Sequence, residues 1–332
     1  MEKIAFYTEA NSDIGIGHLI RLYNFQKIIK NKKIIWLFSG DHKIAKKILK
    51  KDYYHLKSSS INLLTSKIHK ILKKEKISKI FLDIANKANL EKKKNYENFF
   101  NKLKKKNYFI FSFDDPRLKI FSDVSIIPYV FDKKKLIIKN KKVYKIHGKE
   151  YFFSSSYFNF YKDKKKLINK DIKKIFIFLT GYDRGNTIRK ILKNFEDTKY
   201  KIIIYSNNLN IKNSNKNIKL VGFVKNLAKY YFQSDISIVG EGLSRYETAT
   251  LGVPTILIYS FETLNKNNDL AWKFINLETS KLFQDKLSLN NLKLYIENKI
   301  THWDRKKMSN NAKKNFDLNG HDRILKKINK FL

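Results

Sequence analysis

Short apolar runs alternate with longer helical patterns along the whole chain, and this alternation restricts the possible folds more than any other feature. The runs are nearly continuous in β-branched and aromatic residues, and the segments between them carry apolar residues at three- and four-residue spacing. Such alternation is typical of parallel sheets that helices cover on both faces. The predicted strands are Ile4–Thr8, Lys33–Phe38, Lys79–Asp83, Tyr108–Phe113, Val124–Ile127, Ile175–Leu179, Lys201–Tyr205, Ile218–Val221, Ile236–Val239 and Thr255–Tyr259, and two of the predicted helices are Leu19–Lys30 and Ile61–Lys73.

The length of 332 residues predicts two such α/β domains. We place their junction in the lysine-rich, glycine-free segment Tyr161–Lys173, which separates an N-terminal domain over 1–160 from a C-terminal domain over 173–332. The last helix is expected to pack back toward the N-terminal domain. Open parallel sheets bind ligands at the carboxyl ends of their strands, so two Rossmann-like doubly wound domains facing each other would form a ligand cleft.

Composition excludes several classes of protein. Hydrophobic residues make up 42% of the chain and aromatic residues 14%, which indicates a globular protein. No apolar run reaches the 18 residues or so of a membrane span, and the first strand lacks the apolar segment of a signal peptide. The chain has no cysteine, which excludes disulfides and thiolate metal sites. We therefore expect a cytoplasmic protein.

The net charge of +40 suggests nucleic-acid binding, but the type of basic residue argues against it. Only seven of the 70 basic residues are arginine, the residue that grips phosphate in bidentate geometry, and the lysines are scattered through every segment. The pattern indicates solvated lysines that attract anions nonspecifically. We expect no specific nucleic-acid partner, at most peripheral contact with a membrane, and a monomer.

Glycine placement points to an anion site in the segment 240–254. The chain has only 11 glycines, fewer than the usual ~7%, and eight of them lie in four short segments at strand ends. After the strand Ile236–Val239, a glycine-containing turn leads into a predicted helix, whose first amides and dipole favour an anion. Glu247, about one turn into that helix, can accept both hydroxyls of a ribose. The residues predicted to bind a nucleotide-sugar here are Gly242, Ser244, Arg245 and Glu247.

A second candidate segment follows the first predicted strand. Gly15 and Gly17 allow a tight loop, which places His18 in the first turn of the next helix. A helix N-terminus disfavours the imidazolium, so His18 is expected to be neutral and able to act as a general base. The alternative interpretation is a histidine that only caps or packs the helix.

Two further segments carry polar groups at predicted strand ends. Gly181 and the amides after it can approach a phosphate, while Asp183 or Asn186 can equally cap the next helix. Asp114 and Asp115 precede a proline, and we interpret them as a turn because nothing nearby supplies further metal ligands. The sequence predicts no metal and no cofactor.

These motifs together resemble the UDP-sugar hydrolases of pseudaminic acid biosynthesis and the related spore-coat polysaccharide proteins. The resemblance lies in Ile-Gly-x-Gly-His-x-x-Arg at 14–21, Asp83 after an apolar strand, and Ser-Phe-Asp-Asp at 112–115. Gly-x-Asp-x-x-Asn at 181–186, Gly-x-Ser-x-x-Glu at 242–247 and Asn-Gly-x-x-Arg-Ile at 319–324 follow in the same order. The segment 240–254 also looks like the donor-binding helix of the wider GT-B glycosyltransferases, including the lipid II-forming N-acetylglucosaminyltransferase.

The resemblance implies a GT-B fold, metal-independent chemistry and His18 as the general base. It implies that Glu247 holds the ribose, that the Gly181 and Ser244 loops hold the diphosphate, and that Gly15, Gly17 and Arg21 belong to the nucleotide-sugar site. The chain departs from the family on the sugar side. Tyr7 and Glu9 stand where the family usually has Arg and Asp, Ile84-Ala85 replaces a His-Tyr pair, and a serine around Ser155 replaces an arginine.

Three functional hypotheses remain open at this point. The first is a UDP-sugar hydrolase of surface-glycan, nonulosonic acid-type biosynthesis, as in flagellin glycosylation, in which His18 activates water. The second is a glycosyltransferase in which a sugar or lipid-linked hydroxyl replaces water. The third is a noncatalytic nucleotide- or nucleic-acid-binding protein.

Overall fold

The computed structural model describes residues 1–11, 15–50, 52–58, 60–84, 93–179, 187–206, 215–222, 224–240, 242–258, 269–283 and 289–332. The chain divides into two compact units. The first consists of residues 1–151 together with 320–332, and the second of residues 152–319.

The first unit is built on a seven-stranded sheet whose neighbouring strands all run parallel. Its strand order is β3-β2-β1-β4-β5-β7-β9, so the direction of winding reverses between β1 and β4. Two short parallel strands, β6 and β8, form a separate pair. The strands are β1 Lys3–Ala10, β2 Lys33–Gly40, β3 Tyr53–His55, β4 Lys79–Asp83, β5 Phe109–Phe113, β6 Lys119–Ile120, β7 Val124–Ile127, β8 Ile137–Ile138 and β9 Tyr144–His147.

Helices contribute to apolar packing on both faces of this sheet. Leu64, Ile68 and Leu72 of α3 and Phe99 and Phe100 of α4 join one buried cluster. On the α1 face, aromatic rings from the strands and from α1 pack against one another, including Phe6, Phe25 and Phe81. The helices are α1 Gly17–Gln26, α2 His42–Leu49, α3 Ile61–Lys74, α4 Lys93–Lys104 and α11 Gly320–Ile328, with 3-10 turns at Lys133–Lys135, Lys149–Tyr151 and Asn329–Phe331.

The second unit has a six-stranded parallel sheet in the order β12-β11-β10-β13-β14-β15. This is the doubly wound 3-2-1-4-5-6 order of Rossmann-like domains, with the reversal between β10 and β13. The strands are β10 Lys174–Phe178, β11 Lys201–Tyr205, β12 Ile218–Val221, β13 Ile236–Val239, β14 Thr255–Ile258 and β15 Lys281–Phe283. The helices are α5 Thr187–Asn194, α6 Leu227–Gln233, α7 Ser244–Thr250, α8 Asp269–Ile275, α9 Leu292–Lys299 and α10 His302–Asn315, with 3-10 turns at Ser156–Tyr161 and Leu289–Asn291.

The predicted strands are confirmed within one or two residues at either end over the part of the chain that is described. The strands that the apolar pattern did not reveal lie mostly at sheet edges: β3 and β9 border the first sheet and β15 the second. An edge strand is covered less completely than a central one, so its sequence need not be continuously apolar. Across the described ranges, no helix combines the length and the hydropathy needed to span a bilayer.

Candidate functional site

The loop between β1 and α1 places His18 at the carboxyl edge of the first sheet. The amide of Gly15 donates to the carbonyl of Asn11 at 2.8 Å, and Gly15 has φ +81°, a backbone conformation that glycine adopts without strain. Gly17 then begins α1, so His18 is the second residue of this helix. The local conformation that the glycines predicted is therefore present on either side of residues 12–14, which lie outside the described residues.

Asp83 reaches the same point from a distant part of the chain. It is the last residue of β4, and strand pairing aligns it with Thr8 of β1. The Thr8 hydroxyl donates to the Asp83 carbonyl at 2.9 Å. Because the winding reverses between β1 and β4, this is the switch point at which doubly wound sheets bind their ligands.

Three side chains meet at this switch point. Nδ1 of His18 lies 2.7 Å from Oδ1 of Asp83. Arg21, one turn along α1, donates from Nε to Oδ2 of Asp83 at 2.6 Å and from its NH2 group to Oδ1 at 2.5 Å. Since the ionised carboxylate can only accept, His18 donates its Nδ1 proton to Asp83, and this leaves Nε2 as the ring nitrogen that can exchange a proton with a ligand.

The surroundings of Asp83 keep this carboxylate ionised. Burial by itself would raise the pKa of the fully buried Asp83, but the Arg21 guanidinium and His18 together hold that pKa below its usual value. The Arg21 guanidinium is also stacked, with its carbon 5.0 Å from the centre of the Phe113 ring and 5.5 Å from that of Tyr129. The His18 side chain is 29% exposed, so a ligand can reach its ring.

The chemistry available here is proton transfer at Nε2 of His18. A carboxylate on Nδ1 fixes the tautomer and the ring orientation and stabilises the imidazolium that forms when Nε2 takes a proton. The bidentate guanidinium holds the carboxylate in turn, so the histidine is oriented by two layers of contacts. Arg21, which the resemblance places in the nucleotide-sugar site, thus directs its guanidinium to Asp83.

In the second unit, residues 242–254 contain the helix that the glycines predicted, and Glu241 of the preceding turn lies outside the described residues. Gly240 follows β13, and a Cβ on it would lie 2.0 Å from the carbonyl oxygen of Leu179, so only glycine allows this close approach of two strand ends. Gly242 is exposed and has open space around it. Helix α7 spans seven residues with Leu243 as its N-cap, and Ser244 is its first, buried residue.

Glu247 lies one turn into α7, and its environment is unusual for a carboxylate. Burial raises the pKa of Glu247 to about 7, and the Tyr231 hydroxyl beside it only partly opposes this rise. Tyr231 comes from α6 and is fully buried, and the pKa of its hydroxyl is raised by burial and by Glu247. A carboxylate whose surroundings raise its pKa this far is typical of a functional site.

Arg245 is packed among aromatic rings. Its guanidinium carbon lies 5.0 Å from the centre of the Tyr246 ring and 5.1 Å from that of Phe274. Tyr246 also stacks on Phe152. These contacts hold the Arg245 side chain against the core of the second unit.

Asp114 and Asp115, which we interpreted as a turn, have separate environments. Asp115 does form a turn, since it accepts from the amide of Arg117 at 2.8 Å and pairs with its guanidinium. Asp114 is buried and accepts from the Ser122 hydroxyl at 3.0 Å, and burial raises its pKa to about 6 against the effect of surrounding serine hydroxyls.

The predicted site residues Gly181, Asp183 and Asn186 lie outside the described residues. Within the described ranges, no group of three or more His, Asp or Glu side chains is arranged to hold a metal ion. Sequence reasoning missed two residues. Asp83 enters the sequence analysis only as a family position, although a carboxylate at the end of an apolar strand is a detectable signal. Tyr231 carries no sequence signal that links it to Glu247.

Comparison with solved structures relates this architecture to known folds. MurG from Acinetobacter baumannii superimposes with a TM-score of 0.66 at 11% identity, covering 99% of this chain and 100% of that one. The glycosyltransferase SnogD from Streptomyces nogalater gives a TM-score of 0.61 at 8% identity, covering 98% and 99%. The UDP-GlcNAc 2-epimerase from Neisseria meningitidis, solved with UDP-GlcNAc bound, gives 0.55 at 14% identity, covering 99% and 100%.

The chain has a GT-B fold. This confirms the predicted fold class. Because the sequence identities are low, the similarity to these structures shows the fold alone. No family model matches the sequence. Among curated proteins, an uncharacterized protein from Methanocaldococcus jannaschii is 26% identical over 287 residues, which are 78% of this chain but 56% of the relative, so the chain spans about half the length of that relative.

Proposed function

We propose that this GT-B protein is an enzyme that hydrolyses a UDP-sugar at the anomeric carbon, with His18 as the general base. The observation that carries the proposal is the hydrogen bond from His18 Nδ1 to Asp83, because it orients the imidazole ring at the switch point of a doubly wound sheet. A histidine that only caps or packs a helix does not need a buried carboxylate that is itself held by a bidentate arginine.

The proposed reaction proceeds by inverting displacement. Nε2 of His18 accepts a proton from water as the water oxygen forms a bond to C1 of the sugar. The bond between C1 and the diphosphate oxygen breaks, and UDP leaves with that electron pair. Asp83 stabilises the resulting imidazolium. This stabilisation is part of the roughly 10²–10⁴-fold rate increase that a general base usually contributes.

We assign UDP binding to the second unit. Glu247 would accept the ribose hydroxyls in its ionised form, and bound hydroxyl donors would lower its raised pKa. The diphosphate would lie near Gly242, Ser244 and Arg245 and the Gly181, Asp183 and Asn186 loop, as the resemblance implies. Support for UDP comes from structural neighbours: the Neisseria meningitidis epimerase was solved with UDP-GlcNAc, and the Staphylococcus aureus protein MnaA with UDP.

The sugar and its pathway follow from the family resemblance. We propose an amino- or deoxy-sugar of surface-glycan, nonulosonic acid-type biosynthesis. The departures at Tyr7, Glu9 and Ile84 lie on the sugar side, so the resemblance supports UDP more strongly than it supports a particular sugar. Tyr7 is fully buried and donates to Glu9 at 2.8 Å, so its hydroxyl helps to position the Glu9 carboxylate at the end of β1.

A glycosyltransferase is the second candidate. The oriented His18 can deprotonate an acceptor hydroxyl as well as water, since both need the same base. The observation that favours transfer is the likeness in fold to MurG and to the glycosyltransferase SnogD.

Incubation with a panel of UDP-sugars, with and without sugar and lipid-linked acceptors, tests the proposal. UDP release is measured, and the sugar product is identified by NMR. UDP release without an acceptor, giving a free sugar of inverted anomeric configuration, supports hydrolysis, and release that requires an acceptor supports transfer. A UDP-sugar epimer formed without UDP release, or no reaction with any donor, contradicts both.

A further inference from the structure

A surface segment of the second unit combines exposed apolar side chains with lysines. Eight large hydrophobic side chains are exposed among the described residues, and three of them lie within eleven positions: Tyr157 at 41%, Phe160 at 67% and Leu167 at 71%. Lys162, Lys164 and Lys165 lie between the last two and are exposed as well. We call these six residues the aromatic–lysine patch.

The backbone conformation explains why the aromatic side chains point outward. Ser156–Tyr161 forms a 3-10 helix, in which residues three apart lie on the same side. Phe158 and Tyr161 occupy one side: Phe158 is buried, and the Tyr161 ring lies 4.5 Å from that of Phe232. Tyr157 and Phe160 therefore share the opposite side, which faces solvent.

Two contacts anchor the patch at the end of α6. Tyr161 packs on the Phe232 ring, and the buried Lys166 donates from Nζ to the Phe232 carbonyl at 2.7 Å and to the Ser234 carbonyl at 2.6 Å. Both anchors therefore hold the segment 161–166 at the C-terminal end of α6. Phe160 and Leu167 are the residues immediately outside these anchors, so one anchored loop presents both.

The charges around the patch are complementary to an acidic surface. Lys164 Nζ lies 3.5 Å from the centre of the Phe160 ring, which places a cation directly beside the exposed aromatic. Asp163 is the only acidic residue between Tyr157 and Leu167, and the whole chain carries +40. Flexible lysines beside aromatic and aliphatic side chains suit the interface of an anionic bilayer, where the apolar groups insert and the ammonium groups remain among the headgroups.

We propose that the aromatic–lysine patch docks the protein peripherally on anionic membrane surfaces, with Phe160 and Leu167 inserted below the headgroups. A bilayer fits better than a nucleic acid, because the aliphatic Leu167 has no aromatic face on which a base could stack. The proposal is independent of the reaction at His18, so either can fail without the other.

Vesicle binding tests the proposal with a matched control. The full chain is titrated with phosphatidylcholine vesicles and with mixed phosphatidylcholine–phosphatidylglycerol vesicles at about 150 mM salt, where charge alone is largely screened. We expect binding to the mixed vesicles only. Phe160→Ser and Leu167→Ser should each weaken it by about tenfold, which is about 1.4 kcal/mol.

Trp303→Ser is the control. Trp303 is 66% exposed and lies near Lys307, so this variant removes an equally exposed aromatic beside a lysine outside the patch, and its binding should be unchanged. Equal binding by all three variants and the wild type would show that delocalised charge alone is responsible, and this would overturn the proposal. Absence of vesicle binding by the wild-type protein would overturn it too.

A second measurement reads insertion directly. In Phe160→Trp, tryptophan fluorescence should shift to the blue with mixed vesicles and be quenched by brominated lipid beyond the wild-type level. No added quenching would contradict insertion. A mixed RNA oligonucleotide is titrated in parallel to test nucleic acid as the alternative ligand of the patch. If Phe160→Ser weakens RNA binding and leaves vesicle binding unchanged, the patch binds nucleic acid and the membrane proposal is wrong.

Discussion

Nδ1 of His18 lies 2.7 Å from Oδ1 of Asp83, although 65 positions separate the two residues in the chain. The contact exists because β1 and β4 are neighbours in the sheet and because α1 starts just beyond the end of β1. It fixes the ring orientation of a histidine near the start of a helix, and most of the proposed chemistry depends on it.

Removal of the base should stop turnover without unfolding the protein. We expect His18→Ala to lower kcat by roughly 10²–10⁴-fold, the usual contribution of a general base, with UDP affinity nearly unchanged. His69→Ala is the control, because His69 also makes a ring-nitrogen hydrogen bond, to the Tyr108 hydroxyl at 2.7 Å, but Tyr108 lies just before the start of β5, at the opposite edge of the sheet. More than half of wild-type activity in His18→Ala would remove His18 from the mechanism.

The Arg21–Asp83 pair should govern stability as well as orientation. Arg21→Ala removes the guanidinium from the buried Asp83 carboxylate and should cost about 3–5 kcal/mol in the free energy of unfolding at neutral pH. Arg21→Lys keeps the charge but loses the bidentate geometry, so its loss should be smaller. Denaturant unfolding measures both, with Arg117→Ala as a control, since its pair with Asp115 is partly exposed and worth at most about 1 kcal/mol.

The pH dependence of the Arg21→Ala effect has a definite sign. In the wild type the pKa of Asp83 is lowered, so the stability it contributes is present above its unfolded pKa and is lost as pH falls through the folded pKa. In the variant, protonation removes the buried negative charge that Arg21 no longer compensates. The difference in unfolding free energy between wild type and variant should therefore shrink toward pH 4, and a constant difference would show that Arg21 does not act by compensating the Asp83 charge.

Glu247 should destabilise the ligand-free protein at alkaline pH. Its pKa is raised to about 7, so ionisation in the folded state costs stability as pH rises from about 4.5 through 7. Glu247→Gln should therefore increase the unfolding free energy at pH 8, by at most about 3 kcal/mol, and the gain should disappear near pH 4.

The same variant should weaken UDP binding by about 1.5–3 kcal/mol in calorimetry, because it loses hydrogen bonds to a charged group. Glu297→Gln is the control for both measurements, since Glu297 accepts from the Tyr200 hydroxyl at 3.2 Å but is exposed. A Glu247→Gln protein that is more stable yet binds UDP like the wild type would limit Glu247 to a structural role.

His147 should make the wild-type protein sensitive to acid. Burial lowers the pKa of His147 to about 4, and its Nε2 lies 2.8 Å from the Ser125 hydroxyl. As pH falls, His147 therefore binds a proton near pH 6.5 in the unfolded chain but only near pH 4 in the folded protein. Stability is lost as pH falls from about 6.5 to 4. His147→Gln should gain stability relative to the wild type over that range, by at most about 3 kcal/mol, and equal pH profiles in thermal unfolding would contradict this.

The central strands of both sheets could be predicted from the sequence because burial on both faces imposes continuous apolar runs. Strands β3, β9 and β15 could not be predicted, because edge strands lie under weaker constraint. The backbone conformation around Gly15 and Gly17 was also predictable, and so was the turn at Asp115, because both depend on local residues only.

The sequence by itself determined the fold class, the strand–helix order and the local placement of His18 and Glu247, because these depend on neighbours within one or two turns of the chain. Only the tertiary structure decided that Asp83 orients His18 and that Arg21 holds Asp83, because those contacts require the parallel pairing of β1 with β4. It also decided the raised pKa of Glu247, since burial beside Tyr231 depends on how α6 and α7 pack. The hydrophobic periodicity of a segment shows which side of a helix or strand is buried. Which side chain it contacts depends on which distant segment of the chain covers that side.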